Sequence, residues 1–70
     1  MATERDDFIV AQALILSIEA LSRLPDRDRP VSNIEDMRAI LAEIRPSVRD
    51  MAGQEVQRWL KIAAWNIRSA

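Results

Sequence analysis

The side chains that could transfer protons or bind a metal in this chain are carboxylates, because its 70 residues include no His and no Cys. Nucleophilic catalysis of the Ser-His-Asp or Cys-His type lacks its base, and structural zinc and helical di-iron sites lack their ligands. A single Gly excludes a Gly-rich phosphate loop. Five carboxylates lie at predicted helix starts or alternate with arginines, which is typical of solvated faces with intrahelical ion pairs: Glu35, Asp36, Glu43, Asp50 and Glu55. We expect no enzymatic activity, cofactor, metal or small-molecule substrate.

DNA recognition is the alternative chemistry, through a degenerate helix-turn-helix in residues 47–62. Val48–Ala52 would form its first helix, Gly53 its turn and Gln54–Leu60 its reading helix. Glu55 would then place negative charge where phosphates must approach, and the domain has no basic stripe. Nucleic acid is therefore the less favoured partner. The side chains that would contact DNA in this alternative are Gln54, Gln57, Arg58 and Lys61.

The length of the chain limits how much apolar surface it can bury. Seventy residues form one domain at most, and such a chain buries only about 60% of the surface exposed by its unfolded form. Small scaffolds usually need disulfides, a metal or oligomerisation in addition. Of these three sources of stability, oligomerisation remains for this chain, because it has no Cys or His. Its net charge of −1 creates no field that would attract nucleic acid or an anionic membrane.

The N-terminal residues MATERDDF carry acids where a secretory signal has a basic region, so we expect no export address. The apolar run from Phe8 to Ile18 is shorter than the roughly 20 residues that span a membrane. We therefore expect a cytoplasmic protein of a bacterium or phage that does not insert into membranes.

Three helices are predicted, over Thr3–Leu24, Asn33–Ile44 and Pro46–Ile67, with a charged loop from Pro25 to Ser32. Thr3 and Asp6 form a capping box, and Pro25 ends the first helix. Ser32 with Glu35 has the spacing of a second capping box. A single long helix kinked at Pro46 would also continue the apolar pattern, but Pro suits the first position of a new helix. We favour a break.

The helical period predicts which side chains form the core. In the first helix the core stripe is Val10, Leu14, Ile18, Leu21 and Leu24. In the second helix it is Ile34, Met37, Leu41 and Ile44. The stripe of the third helix is Val48, Ala52, Val56, Trp59, Leu60, Ala63 and Ile67. Gly53 lies at its edge, where close approach of a partner helix would explain a Gly.

The first helix has more apolar side chains than this core uses, and a helix that is apolar nearly all round is expected to be covered on several sides. Phe8 and Ile15 can pack on the second helix. The unpartnered side chains are Ile9, Leu16 and Ala20 on the first helix, with Met51, Ile62 and Trp65 on the third. We therefore predict an all-α, three-helix antiparallel bundle that associates as a homodimer. Its predicted function is that of a non-enzymatic module that binds itself and another protein through this apolar surface.

Overall fold

A computed structural model describes the backbone of residues 3–69 and the side chains of residues 3–64. Helix α1 spans Glu4–Ser22, α2 spans Val31–Ala42 and α3 spans Pro46–Ser69. A single 3-10 turn, Asp26–Asp28, lies between α1 and α2. The described residues contain no strand. The predicted all-α fold of three packed helices is confirmed.

Helix α1 begins at the predicted capping box. The Thr3 backbone N–H donates to Asp6 Oδ2 and the Asp6 N–H donates to Thr3 Oγ1, both at 3.1 Å. Glu4, Asp6 and Asp7 lie in the first turn, where the helix dipole favours negative charge. The helix ends at Ser22, earlier than predicted, because Arg23 and Leu24 form a tighter last turn before Pro25.

The predicted start of α2 is wrong. Its N-cap is Pro30, which has no side-chain cap, and the Ile34 N–H donates to the Pro30 carbonyl at 3.0 Å. Ser32 therefore lies inside the first turn and its hydroxyl makes no capping bond. Pro30 has φ −79° and ψ 78°, and the helix starts at Val31, two residues before the predicted Asn33.

The break before α3 is confirmed, because α2 ends at Ala42 and Pro46 is the first residue of α3. The Arg45 carbonyl accepts from the Val48 and Arg49 N–H groups, each at 3.0 Å. Proline has no N–H, so at the first helical position it leaves no backbone donor unsatisfied. The two helices are separate elements.

The loop between α1 and α2 is held by Arg29. Its guanidinium donates to the Leu24 carbonyl at 2.9 Å and pairs with Asp26 Oδ1 at 2.9 Å. One side chain thus ties the end of α1 to the 3-10 turn, and the loop charges pair locally.

Helix α1 is the central element, since it packs against both α2 and α3. It pairs antiparallel with α2: Ser22 shares a groove with Ile34, whereas Ile15 shares one with Leu41. It crosses α3 where Ala11 and Ala52, both fully buried, bring the two helices together. The buried side chains among the described residues are apolar: Ala11, Ile18, Ile34, Ile44, Val48, Ala52 and Val56.

The core face predicted for α1 is partly wrong. Val10 is 43% exposed and Leu24 is also exposed, whereas Phe8, Ala11 and Ile15 pack into the cluster formed with α3. The buried face is therefore rotated by about one residue step, roughly 100°, from the predicted stripe. Ala11 lies on this rotated face and is fully buried in one cluster with Ala52 of α3. Of the stripe predicted for the second helix, Ile34 and Ile44 are buried, and Ile44 lies in the connection after α2.

The α3 stripe is buried only in its N-terminal half. Val48, Ala52 and Val56 are inside the core, but Trp59 is 39% exposed and Ala63 is exposed, so their predicted core positions are wrong. The reason is the short α1, which crosses α3 near Ala52 and leaves its later turns uncovered. Ile67 of the predicted stripe lies outside the described side chains.

The molecule is flat, with dimensions of 41 × 30 × 17 Å. A thickness of 17 Å fits two helix layers, since packed helices lie 8–10 Å apart. Its radius of gyration, 13.5 Å, exceeds the about 11 Å expected for a compact domain of this length. Its accessible surface of 5473 Å² exceeds the about 4,450 Å² expected for its mass. The chain therefore leaves about 1,000 Å² more surface exposed than a typical monomer does.

Gly53 has room for a side chain. A Cβ added there would have Ile15 Cδ1 as its nearest neighbour at 3.9 Å, an ordinary van der Waals contact, and its φ is not positive. The close backbone approach expected from the sequence is thus not what Gly53 provides. A Gly inside a helix is about 1 kcal/mol less favourable than Ala. Gly53→Ala should raise the free energy of unfolding by about 0.5–1 kcal/mol, measured by urea denaturation.

The reverse exchange at an exposed helix position is the matched control for this variant. Ala39→Gly in α2 should lower the free energy of unfolding by a similar amount, since it adds the helix penalty without touching the core. A Gly53→Ala variant less stable than the parent would show that α1 and α3 lie closer than this geometry allows.

Candidate interaction surface

The side of α1 that faces away from α2 and α3 is an exposed apolar surface, called here the outer face. Ile9 is 47% exposed and Leu16 is 39% exposed. At 100° per residue both lie opposite the buried Ala11. The exposed apolar members of the outer face are Ile9, Val10, Ala13, Leu16 and Ala20. Three of them, Ile9, Leu16 and Ala20, are the side chains that the sequence left without a partner.

The second predicted patch, on α3, is not continuous. Met51 and Ile62 are exposed on the same side of the helix, but the Glu55–Arg58 ion pair lies between them with a distance of 2.6 Å from Oε1 to the guanidinium. They are eleven residues apart, about 16 Å along the axis. Met51 instead shares a shallow groove with Phe8 and Arg5 of α1. Trp65, the third residue predicted here, lies outside the described side chains.

The ion pair between the two apolar residues fixes the local charge state. The Arg58 guanidinium, hydrogen-bonded to Glu55, lowers the pKa of that carboxyl, and the Trp59 indole N–H makes a smaller contribution in the same direction. Glu55 also raises the pKa of Arg58. Both groups are therefore charged at neutral pH, and their hydration opposes burial of this side of α3.

The predicted turn at Gly53 is wrong, because α3 runs unbroken from Pro46 to Ser69. Residues 47–62 thus form no helix-turn-helix. The four side chains proposed to contact DNA do line one shallow groove together, next to Asp50: Gln54, Gln57, Arg58 and Lys61. Arg58 is paired with Glu55 there, so its charge is partly compensated within the protein.

The charges of the described residues stay on the surface. No polar or charged side chain among residues 3–64 is buried, although the Nε atoms of Arg29 and Arg49 lack a partner. Within the part of the chain that the structure describes, no group of three or more acidic side chains could hold a metal ion. The feature of this surface that departs most from ordinary solvated helix faces is its exposed apolar area.

Two members of the outer face were missed by the sequence interpretation. Val10 was assigned to the core, and Ala13 was assigned to neither set. The signal that could have included Ala13 is spacing, because it lies four residues after Ile9 and three before Leu16. Such 3–4 spacing is typical of a helix that packs along one partner helix.

The fold and this surface define a class: a small all-helical protein of three packed helices with one apolar helix face left open. The chain matches no protein-family model, no curated protein and no solved structure. None of the described helices has an apolar stretch long enough to cross a membrane.

Proposed function

We propose that this protein is a non-enzymatic interaction module that binds another protein chain through the outer face of α1. The observation that carries the proposal is the exposure of Ile9 and Leu16 on the face of α1 opposite the core. Burying apolar surface of this kind contributes about 25 cal/mol per Å². The proposed partner is a protein, and the first candidate is a second copy of the chain.

We propose binding and not catalysis, because the sequence has neither the His nor the Cys that Ser-His-Asp and Cys-His triads require. A cytoplasmic site of action in a bacterium or phage-infected cell is part of the same proposal and agrees with the absence of Cys. Accessory, regulatory and assembly proteins act in this way.

Leu16→Glu tests the proposal, because it places a charge in the middle of the outer face without touching the core. Tagged parent and variant chains are immobilised and exposed to an extract of the source cells that contains untagged chain. We expect the parent to retain a protein, either the untagged chain or another one, and the variant to lose at least about tenfold of it, since burying an unpaired charge is costly.

Ala39→Glu is the matched control, since Ala39 is exposed on α2, away from the outer face. It should retain the same protein as the parent does. Equal retention by the Leu16→Glu variant would show that the outer face is not the binding surface. Retention of no protein by the parent would contradict the proposed function as a whole.

The alternative, a DNA-binding regulator, is distinguished by salt. Binding to duplex DNA through Arg58 and Lys61 would weaken steeply with added salt, whereas an apolar interface holds or tightens. A gel-shift at low salt that shows retardation would favour DNA as partner. The interaction module predicts no retardation.

A further inference from the structure

The outer face of α1 has the spacing of a coiled-coil seam that extends beyond its apolar members. Alternating steps of three and four residues keep a row of side chains on one side of a helix. The exposed residues of α1 and its C-cap that follow these steps are Asp6, Ile9, Ala13, Leu16, Ala20 and Arg23. This row is called the seam. It has an acid at one end, a base at the other and large side chains alternating with Ala between them.

From this row we infer that the partner on the outer face is a second copy of the chain, with the two α1 helices antiparallel about a two-fold axis between residues 14 and 15. The inference rests on the proposed function, since it names the occupant of the same surface. A two-fold interface brings the same patch of both copies together, so that each contact occurs twice. Here the axis maps the seam onto itself.

Size complementarity favours this register. The axis places Ile9 opposite Ala20 of the second copy, and Leu16 opposite Ala13 of the second copy. Each layer then holds one large and one small side chain, which interdigitate without a void. A parallel pair in register would place Ala13 and Ala20 opposite their own copies and leave gaps in those layers.

Charge complementarity favours the same orientation. In the antiparallel pair Asp6 lies opposite Arg23 of the second copy, whereas a parallel pair would bring Asp6 to Asp6 and Arg23 to Arg23. Both side chains are accessible: Asp6 is exposed, with Oδ2 accepting from the Thr3 N–H in the capping box, and Arg23 is 69% exposed, with a 3.4 Å contact to Glu19. The helix dipoles also oppose each other in the antiparallel pair.

The chain as a whole, including the uncovered later turns of α3, exposes more surface than a typical monomer of its mass. A standard protein interface buries about 800 Å² on each partner. The chain exposes 5473 Å², which is about 1,000 Å² above the value for a monomer of its mass. Because the seam lies on the side of α1 opposite the buried Ala11, pairing with α1 of a second copy would bury α1 on both sides.

Engineered thiols test the orientation. No native thiol competes with them, because the chain has no Cys. Ile9→Cys and Ala20→Cys chains are mixed and mildly oxidised. Facing positions lie within the Cα separation that a disulfide allows, about 4.4–6.8 Å. The mixture should give a disulfide-linked dimer severalfold above the collisional background, which is set by mixing either chain with an Ala39→Cys chain.

Each of these chains oxidised alone should give no more dimer than that background. In the inferred register, position 9 of one copy lies about 16 Å along the helix axis from position 9 of the other copy. The two positions 20 are separated by the same distance. Linkage of each chain to itself would show a parallel pair and overturn the inference.

A charge exchange tests the register a second way. Arg23→Asp places two acids together and should weaken dimerisation about five- to tenfold by sedimentation. Asp6→Arg should weaken it similarly. It also removes the carboxylate that accepts from the Thr3 N–H, and far-UV circular dichroism reports any resulting loss of helix. The double variant should bind to itself within about twofold of the parent. This rescue cannot arise within one copy, because positions 6 and 23 are about 25 Å apart along α1. Absence of rescue would overturn the register.

Sedimentation of the parent at tens of micromolar, returning only the 8.0 kDa chain, would overturn the inference whatever the variants do. The proposed function would survive that result if a different protein is retained by the parent and lost with Leu16→Glu. The two failures are therefore distinguishable.

Discussion

Replacing Ala11 with leucine is expected to lower the free energy of unfolding by about 1–3 kcal/mol or more. Ala11 is fully buried where α1 crosses α3, in one cluster with Val48 and Ala52. The added carbons have no cavity to enter, so they must move the two helices apart. A domain of 70 residues has a total stability of roughly 3.5–10 kcal/mol, which makes this a large fraction. Urea denaturation followed by far-UV circular dichroism measures the change.

The matched control makes the same exchange at Ala39, which is exposed on α2. Ala39→Leu should change the free energy of unfolding by less than about 0.5 kcal/mol, because surface substitutions away from special features have small effects. The chain concentration is held fixed, since any dimerisation contributes to apparent stability. Equal stability of the Ala11 and Ala39 variants would contradict the crossing of α1 and α3 at Ala11.

Replacing Val48 with alanine should lower the free energy of unfolding by about 2–3 kcal/mol. Val48 is 1% exposed and lies among Ala11, Ile44 and Ala52. The loss combines about 0.8 kcal/mol for each buried carbon removed with the penalty of the cavity that remains. The surrounding alanines cannot fill this space, because they have no rotatable side chain that could move into it.

Val31→Ala is the corresponding control, because Val31 is 52% exposed at the start of α2. Its effect should stay below about 0.5 kcal/mol. A Val48→Ala variant as stable as the Val31→Ala variant would show that Val48 is not part of a packed core. The ratio of the two losses is read from the shift in the urea midpoint at an unchanged slope.

The helices were predictable from the sequence because their signals are local. Thr3 and Asp6 lie in one turn and form the predicted capping box. Pro46 starts α3 because a residue without an N–H and with a fixed φ imposes its geometry at that position. The prediction of the α2 start was wrong at a local feature as well, because the N-cap of α2 is Pro30 and not Ser32.

The candidate surface was predicted in part. Ile9 and Leu16 are exposed, because the first helix carries more apolar side chains than two neighbours can cover. Val10 was misassigned, because the helical period grouped it with Leu14 and Ile18 on one apolar face. The patch of Met51 and Ile62 failed to be continuous because Glu55 and Arg58 form an ion pair between them, a contact that depends on rotamers as well as spacing.

The sequence by itself determined the helical class, the break at Pro46 and the excess of apolar side chains on the first helix. It also determined the absence of His and Cys, which excludes Ser-His-Asp and Cys-His triads. Only the tertiary structure decided which face of α1 is buried. The buried face of α1 contains Ala11, which shares a core cluster with Ile44, Val48 and Ala52, residues far from it in the chain. A period within one helix cannot contain this information, because it describes the faces of that helix and not the shape of the helix that will cover it.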